Sequence, residues 1–177
     1  ATLVLVLGFS VHQTPAQNGS LDLSFDPGTG ANGVVRSVVV QDGKVLIGGS
    51  FTNFNGEINV NRIARLNSDG SLDHSFSPGS GVGDGTVYAI ALEPIRRRVL
   101  LCGDFLYVNG VSRVNFVGLS WNGLPETMYL YGTISYDWMH TLAIEVDEDI
   151  LVGGSFYVAY PSSRVTHLVR LLGDYGP

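Results

Sequence analysis

Few side chains in this sequence of 177 residues have the types and spacing that chemistry requires. Glycoside hydrolysis needs two carboxylates flanking a bond, and Asp104 with Asp137 is the pair to weigh. Asp104 stands where neighbouring stretches of similar sequence carry Ser50 and Ser155. One substituted stretch is thin support, so an enzyme using channel carboxylates is the second reading, and no catalytic residue is assigned. The four histidines never recur at one position of those stretches, and no G-x-S-x-G elbow presents a serine nucleophile. Gly28–Gly33 reads G-x-G-x-x-G, but a strand pattern follows it and no βαβ unit surrounds it, so it is expected to be a loop and not a dinucleotide site. Asn67–Asp73 (NSDGSLD) crowds oxygens around a glycine as some calcium loops do, yet it lacks a bidentate closing Glu. An Asx turn explains it, because Asn and Asp satisfy their own backbone this way. Arg96-Arg97-Arg98 is expected to be a solvated hairpin tip, since a field that draws an anion needs a wider cluster. The single Cys102 can form neither an intrachain disulfide nor a thiolate zinc site, and it reads as a small buried hydrophobe. No cofactor and no metal is expected.

Binding is better served than catalysis. Flat aromatics and amides suit sugar or peptide surfaces, and Tyr107, Trp138, Tyr157, Tyr160, Asn55 and Asn109 fall in the connections between strand patterns. Arg36, Tyr88 and His140 occupy one equivalent position where a strand begins, and they differ in charge and shape. Positions that solve a shared packing problem keep one residue type; these three do not. They are the candidate ligand contacts, with a glycan or a protein surface as the expected partner. The opposing reading is that the aromatics pack between sheets and the amides shape turns.

The elements that must position these residues come from self-similarity. GSLDLSFDPGTG at Gly19 returns as GSLDHSFSPGSG at Gly70, 51 residues later. Val40, Leu92 and Ile144 recur at steps of 52 and 52, Phe51, Phe105 and Phe156 at 54 and 51, and Leu66, Leu119 and Leu171 at 53 and 52. The spacing predicts three units of about 52 residues, at 19–69, 70–122 and 123–174, with 173–177 opening a fourth. Each unit reads as strands: Val34–Gln41, Thr86–Glu93 and Met139–Glu145 first, then VLIGGSF, VLLCGDF and ILVGGSF (Val45–Phe51, Val99–Phe105, Ile150–Phe156), then Arg62–Leu66, Asn115–Leu119 and His167–Leu171. A short fourth strand is expected at Ser71–Phe76. No stretch holds helical periodicity for three turns. Four antiparallel strands per repeat of about 50 residues is the pattern of a β-propeller blade, which makes the chain all-β. Three blades cannot close a ring, so the region is expected to belong to a larger propeller or to assemble with copies of itself through its open edges.

The composite LNSDGSLDHSF-PG-G followed by VVVQDGKVLIGGSF-NG-NRIARL resembles the delta-60 repeat, a β-propeller family of secreted and surface-attached, mainly bacterial, proteins. Gly19–Asp69 carries it almost without interruption, and Gly70–Asn122 departs at EPIRRR. Gly123–Asp174 keeps GGSF and VRL but loses GSLD and PG. The resemblance implies a propeller fold and export, and it brings no catalytic residues.

Composition agrees with a folded, non-nucleic-acid-binding domain. Charged residues make up 15% and the net charge is −6, which leaves no broad basic surface for a phosphate backbone. The run Leu3–Phe9 is too short to span a bilayer, but with Thr14-Pro15-Ala16 it matches a clipped signal peptide over residues 1–16, giving a secreted or cell-surface protein.

Overall fold

The computed structural model describes residues 19–126, 133–134, 138–160 and 163–172; the segment 1–16 read as a signal peptide, Asp137 and the expected opening of a fourth unit at 173–177 lie outside them. The described chain is all-β and builds three antiparallel sheets in sequence order. The first contains β1 (Val35–Gln41), β2 (Lys44–Gly49) and, beyond a two-residue hairpin of β3 (Asn53–Phe54) and β4 (Glu57–Ile58), β5 (Ile63–Leu66). The second repeats this plan with β6 (Val87–Glu93), β7 (Arg98–Gly103), the hairpin β8 (Tyr107–Val108) and β9 (Val111–Ser112), and β10 (Phe116–Ser120). The third has β11 (Thr133–Ile134), β12 (Met139–Ile144), β13 (Ile150–Tyr160) and β14 (Ser163–Leu171). Here the second and third strands run on into what is a separate hairpin in the other two sheets, and β11 pairs with the far end of β13.

In each sheet the second strand lies in the middle, paired to the first on one side and the third on the other. The expected fourth strand is not one. Ser71–Phe76 makes a single bridge, Leu72 to Leu66, and otherwise turns. The reason is local chemistry: Asp73 accepts from the backbone N–H and hydroxyl of Ser75, and Asp69 does the same for Ser71, so Asx-type turns take the donors a ladder would need. Pro125 makes the matching single bridge, to Leu119.

The recurrent residues explain the repeated geometry. Phe51, Phe105 and Phe156 are all buried, closing the sheet ends. Asp42, Arg97 and Glu148 take positive φ at the tip of each first hairpin; Arg62 and Asn115 take it just before the third strand begins, and His167 at the register shift in the middle of β14. Only the side chains vary, so the backbone plan is held by the glycines and aromatics around them.

The sheets stack through apolar faces. Leu46 and Ile63 of the first sheet share a core with Val87, Ile90, Val99 and Leu101 of the second. Ala91, Leu100, Cys102 and Phe116, on the second sheet's other face, join Met139, Ile150, Val152 and Phe156 of the third. At about 25 cal/mol per Å² of apolar surface, these two joints are the main driving force holding the sheets together.

Polar clamps reinforce each joint. Arg65, itself buried, donates to Asp73 (2.7 Å), Gln41 (2.8 Å), Ser75 and the Trp121 carbonyl across the first joint. At the second joint the arginine turn departs from expectation. Arg98 grips the fully buried Glu93 with two hydrogen bonds, and Arg96 bridges Glu93 and Glu148 of the next sheet at 2.8 and 2.9 Å. Arg97 lies over the Trp121 ring, 5.0 Å from its centre. This is no solvated tip: two of the three cations neutralise buried carboxylates. The third sheet solves the same problem with Arg170, which pairs with Glu145 at 2.8 Å. The second sheet has Gly118 at the position of Arg65 and Arg170, so its turn supplies the cations instead.

Candidate functional site

The site begins with a backbone irregularity that occurs three times. Val35 pairs with Gly49 and Ser37 with Gly48, so Arg36 has no partner of its own. Tyr88 is skipped in the same way between Val87 and Ala89, and His140 between Met139 and Thr141. Each is the extra residue of a β-bulge, a feature that bends a strand locally and re-aims one side chain.

The glycine pair in the facing strand permits the bulge. A Cβ on Gly49, Gly103 or Gly154 would collide with the carbonyl oxygen of Val34, Thr86 or Trp138 respectively, the residue that leads into each bulged strand. Those carbonyls accept hydrogen bonds from the backbone N–H of Ser50 (2.9 Å), Asp104 (3.3 Å) and Ser155 (2.8 Å), one residue beyond the glycine. Close backbone approach therefore fixes the second glycine in every unit. The first glycine answers to packing: Gly48 lies under Val87 and Ile90, while Cys102 fills the equivalent place in the second sheet.

Because β6 lies between β1 and β12 and touches both, the three bulged residues form a row. The Arg36 guanidinium lies 5.4 Å from the centre of the Tyr88 ring, a cation–π contact. Tyr88 and His140 have ring centres 5.2 Å apart, and Trp138 meets His140 edge-on at 6.3 Å. Arg36, His140 and Trp138 are exposed and Tyr88 is half-buried.

Polar partners hold the row in place. The Tyr88 hydroxyl donates to Asp104 at 2.9 Å, and the other oxygen of that carboxylate accepts a short hydrogen bond from the Thr86 N–H. Burial, and then the Asp104 carboxylate, push the Tyr88 phenol above its ordinary value, so it stays a neutral donor at physiological pH. His140 Nε2 lies 3.4 Å from the Ser155 hydroxyl. Asp104 and Ser155 are thus matching supports beneath Tyr88 and His140. Both oxygens of Asp104 are engaged in positioning, and its suggested partner Asp137 lies outside the described residues.

The remaining candidates fall elsewhere. The carbonyl oxygens of Asn55 and Asn109 accept from the backbone N–H of Thr29 (3.2 Å) and Ser80 (3.1 Å), tying each hairpin to the loop that enters its sheet. The bridges Ala31–Phe54 and Val82–Val108 join the same pairs of segments. Tyr107 is exposed on its hairpin, with its N–H directed at Asp84. Tyr157 is half-buried on β13, opposite Thr166, and Tyr160 is placed there by its backbone pairing with Ser163.

Sequence reasoning passed over two features. Three carboxylates, Glu145, Asp147 and Asp149, come within 4.8 Å of one another at the tip of the third sheet. The alternation of Glu and Asp in EVDED was the available signal. Glu145 is also paired with Arg170, which accounts for part of that charge. A cleft of about 150 Å³ lies between the third strand of the first sheet and the segment that follows it, lined by Glu57, Asn61, Leu72 and His74 among others. His74 is exposed there, 3.6 Å from Glu57.

Residues 40–76 match a family described as a domain of unknown function (DUF5122) beta-propeller. No curated protein and no solved structure matches the chain.

Proposed function

We propose that this chain is a β-propeller repeat region of an exported protein, and that it acts as a non-catalytic module binding a glycan or an extended peptide along the Arg36–Tyr88–His140 row. The family match over residues 40–76 and the recurrence of one sheet plan three times support the propeller reading. One observation carries the functional reading. Three bulges at one repeat position place chemically different side chains side by side, flanked by the exposed Trp138. Flat rings offer stacking faces to sugars or to peptide planes, and Arg36 adds a fork of donors at one end. Such a surface recognises something irregular, because no two of its repeat positions present the same chemistry.

The test is a glycan and peptide array probed with the folded chain and with Trp138→Ala. Trp138 is exposed, so its truncation spares the fold. A specific hit weakened roughly thirtyfold, the scale of an aromatic hot spot, supports the reading. A hit indifferent to both Trp138→Ala and Arg36→Ala would place binding elsewhere.

A further inference from the structure

The arginine turn leaves one cation over. Arg96 and Arg98 are committed to Glu93 and Glu148, whereas the exposed Arg97 guanidinium lies over the Trp121 ring and reaches Asp42 only at 3.8 Å. A field that draws an anion needs more than one such group, and the fold assembles it from distant stretches of chain. At the first joint, Arg97, Trp121, Asn122 and Ser75 of the second unit close a pocket of about 210 Å³ with Lys44 and Arg65 of the first.

Donors outnumber acceptors in this pocket. Lys44 gives two of its N–H bonds to Asn67 and Asp73 and keeps a third. The Asn122 side-chain amide has no hydrogen-bond partner among the described residues. The acceptors, by contrast, are taken. One Asp73 oxygen accepts from Lys44 and Arg65 and the other from Ser75, while Asp42 Oδ2 accepts from the Trp121 indole at 2.7 Å. Lys44, Arg65 and Arg97 thus stand against only two carboxylates, Asp42 and Asp73, and one positive charge is left unanswered.

We propose that this pocket binds a sulfate or phosphate group, held by the Arg97 guanidinium, the remaining Lys44 N–H and the Asn122 amide. Arg97 supplies a planar fork of donors suited to such oxygens, and the terminal oxygens of a tetrahedral anion can answer donors that arrive from three side chains. The pocket opens beside the hairpin that follows β1, about 15 Å along that strand from Arg36 at roughly 3.3 Å per residue. It is a second site, at the opposite end of the strands from the Arg36–Tyr88–His140 row.

Titration of the full chain with sodium sulfate and with sodium phosphate, at constant ionic strength, tests this. By nuclear magnetic resonance the Trp121 indole N–H and the backbone amides of Lys44 and Asn122 should shift along one saturable curve, while the Trp138 indole stays unmoved. Arg97→Asn removes the cation and suits the positive φ of that residue. It should weaken binding roughly tenfold or more, the scale of a charge-assisted hydrogen bond, with circular dichroism unchanged. A second arm uses monosulfated galactose and glucose monophosphate: tighter binding than that of the inorganic ions assigns the site to a sugar-borne group, and binding no tighter assigns it to the free anion. Shifts that fail to saturate up to tens of millimolar, binding that Arg97→Asn leaves intact, or a response centred on the Trp138 indole and lost in Arg36→Ala would overturn the proposal.

Discussion

The carbonyl oxygen of Thr86 occupies the space where a side chain on Gly103 would begin, and the same contact recurs between Val34 and Gly49 and between Trp138 and Gly154. This approach holds the bulge that turns Tyr88 toward Arg36 and His140. Gly103→Ala should therefore cost about 2–4 kcal/mol of stability, the range for a forced backbone shift. Urea unfolding measures it, and a cost within about 0.5 kcal/mol would show that the bulge relaxes freely.

A second prediction concerns Asp73. Burial alone would raise its carboxyl, but hydrogen bonds from Lys44, Ser75 and Arg65 outweigh that and hold it well below the usual carboxylate range. A lowered folded value means the stabilisation is fully present above the unfolded value of about 3.9 and is lost as the pH falls below it. Asp73→Asn should lose about 3–5 kcal/mol at neutral pH, because Arg65 is left buried without its counter-ion. Its stability should also vary less between pH 4 and pH 2 than that of the parent chain. Equal acid sensitivity in the two proteins would remove Asp73 from the explanation.

Cys102 gives a third. Its buried thiol, pushed up to about 12, has almost no thiolate at neutral pH. A thiol reagent should react only as fast as the chain opens, so adding low urea should accelerate labelling. Rapid reaction with the native protein would contradict this burial.

The sheet plan was legible because its signals are repeated: paired glycines, a following aromatic and alternating apolar residues at a step of about 52. The bulges were not. Nothing in Val35-Arg36-Ser37 announces an unpaired residue; the signal lies across the sheet, in Gly49 and its equivalents Gly103 and Gly154. The fourth strand was misjudged because Asp73 and Ser75 satisfy each other locally and leave only one bridge at Leu72. The arginine turn was misread for a related reason. Charge in a hairpin tip suggests solvent until Glu93 and Glu148 are found buried against it. Of the candidate ligand contacts, Arg36, Tyr88, His140 and Trp138 come together. Asn55 and Asn109 instead tie their hairpins to the entering loops, closer to the opposing reading in which the amides shape turns.

A variant of the supporting shell separates positioning from contact. Asp104→Asn keeps one acceptor, its amide oxygen, for the Thr86 N–H and turns its NH2 toward the Tyr88 hydroxyl, which then accepts instead of donating; with the charge removed the fold should hold and the Tyr88 phenol should titrate lower than in the parent, since the Asp104 carboxylate raises it. Ultraviolet titration of the tyrosines reads this directly. No change would mean that Tyr88 does not sense Asp104.

The row itself is tested most directly by nuclear magnetic resonance of the aromatic side chains during titration with an array-selected glycan or peptide. The account predicts that the ring signals of Tyr88, His140 and Trp138 shift together along one saturable curve, while Tyr107 stays unmoved. Saturable shifts confined to Tyr107 and the hairpins, with the row silent, would contradict it.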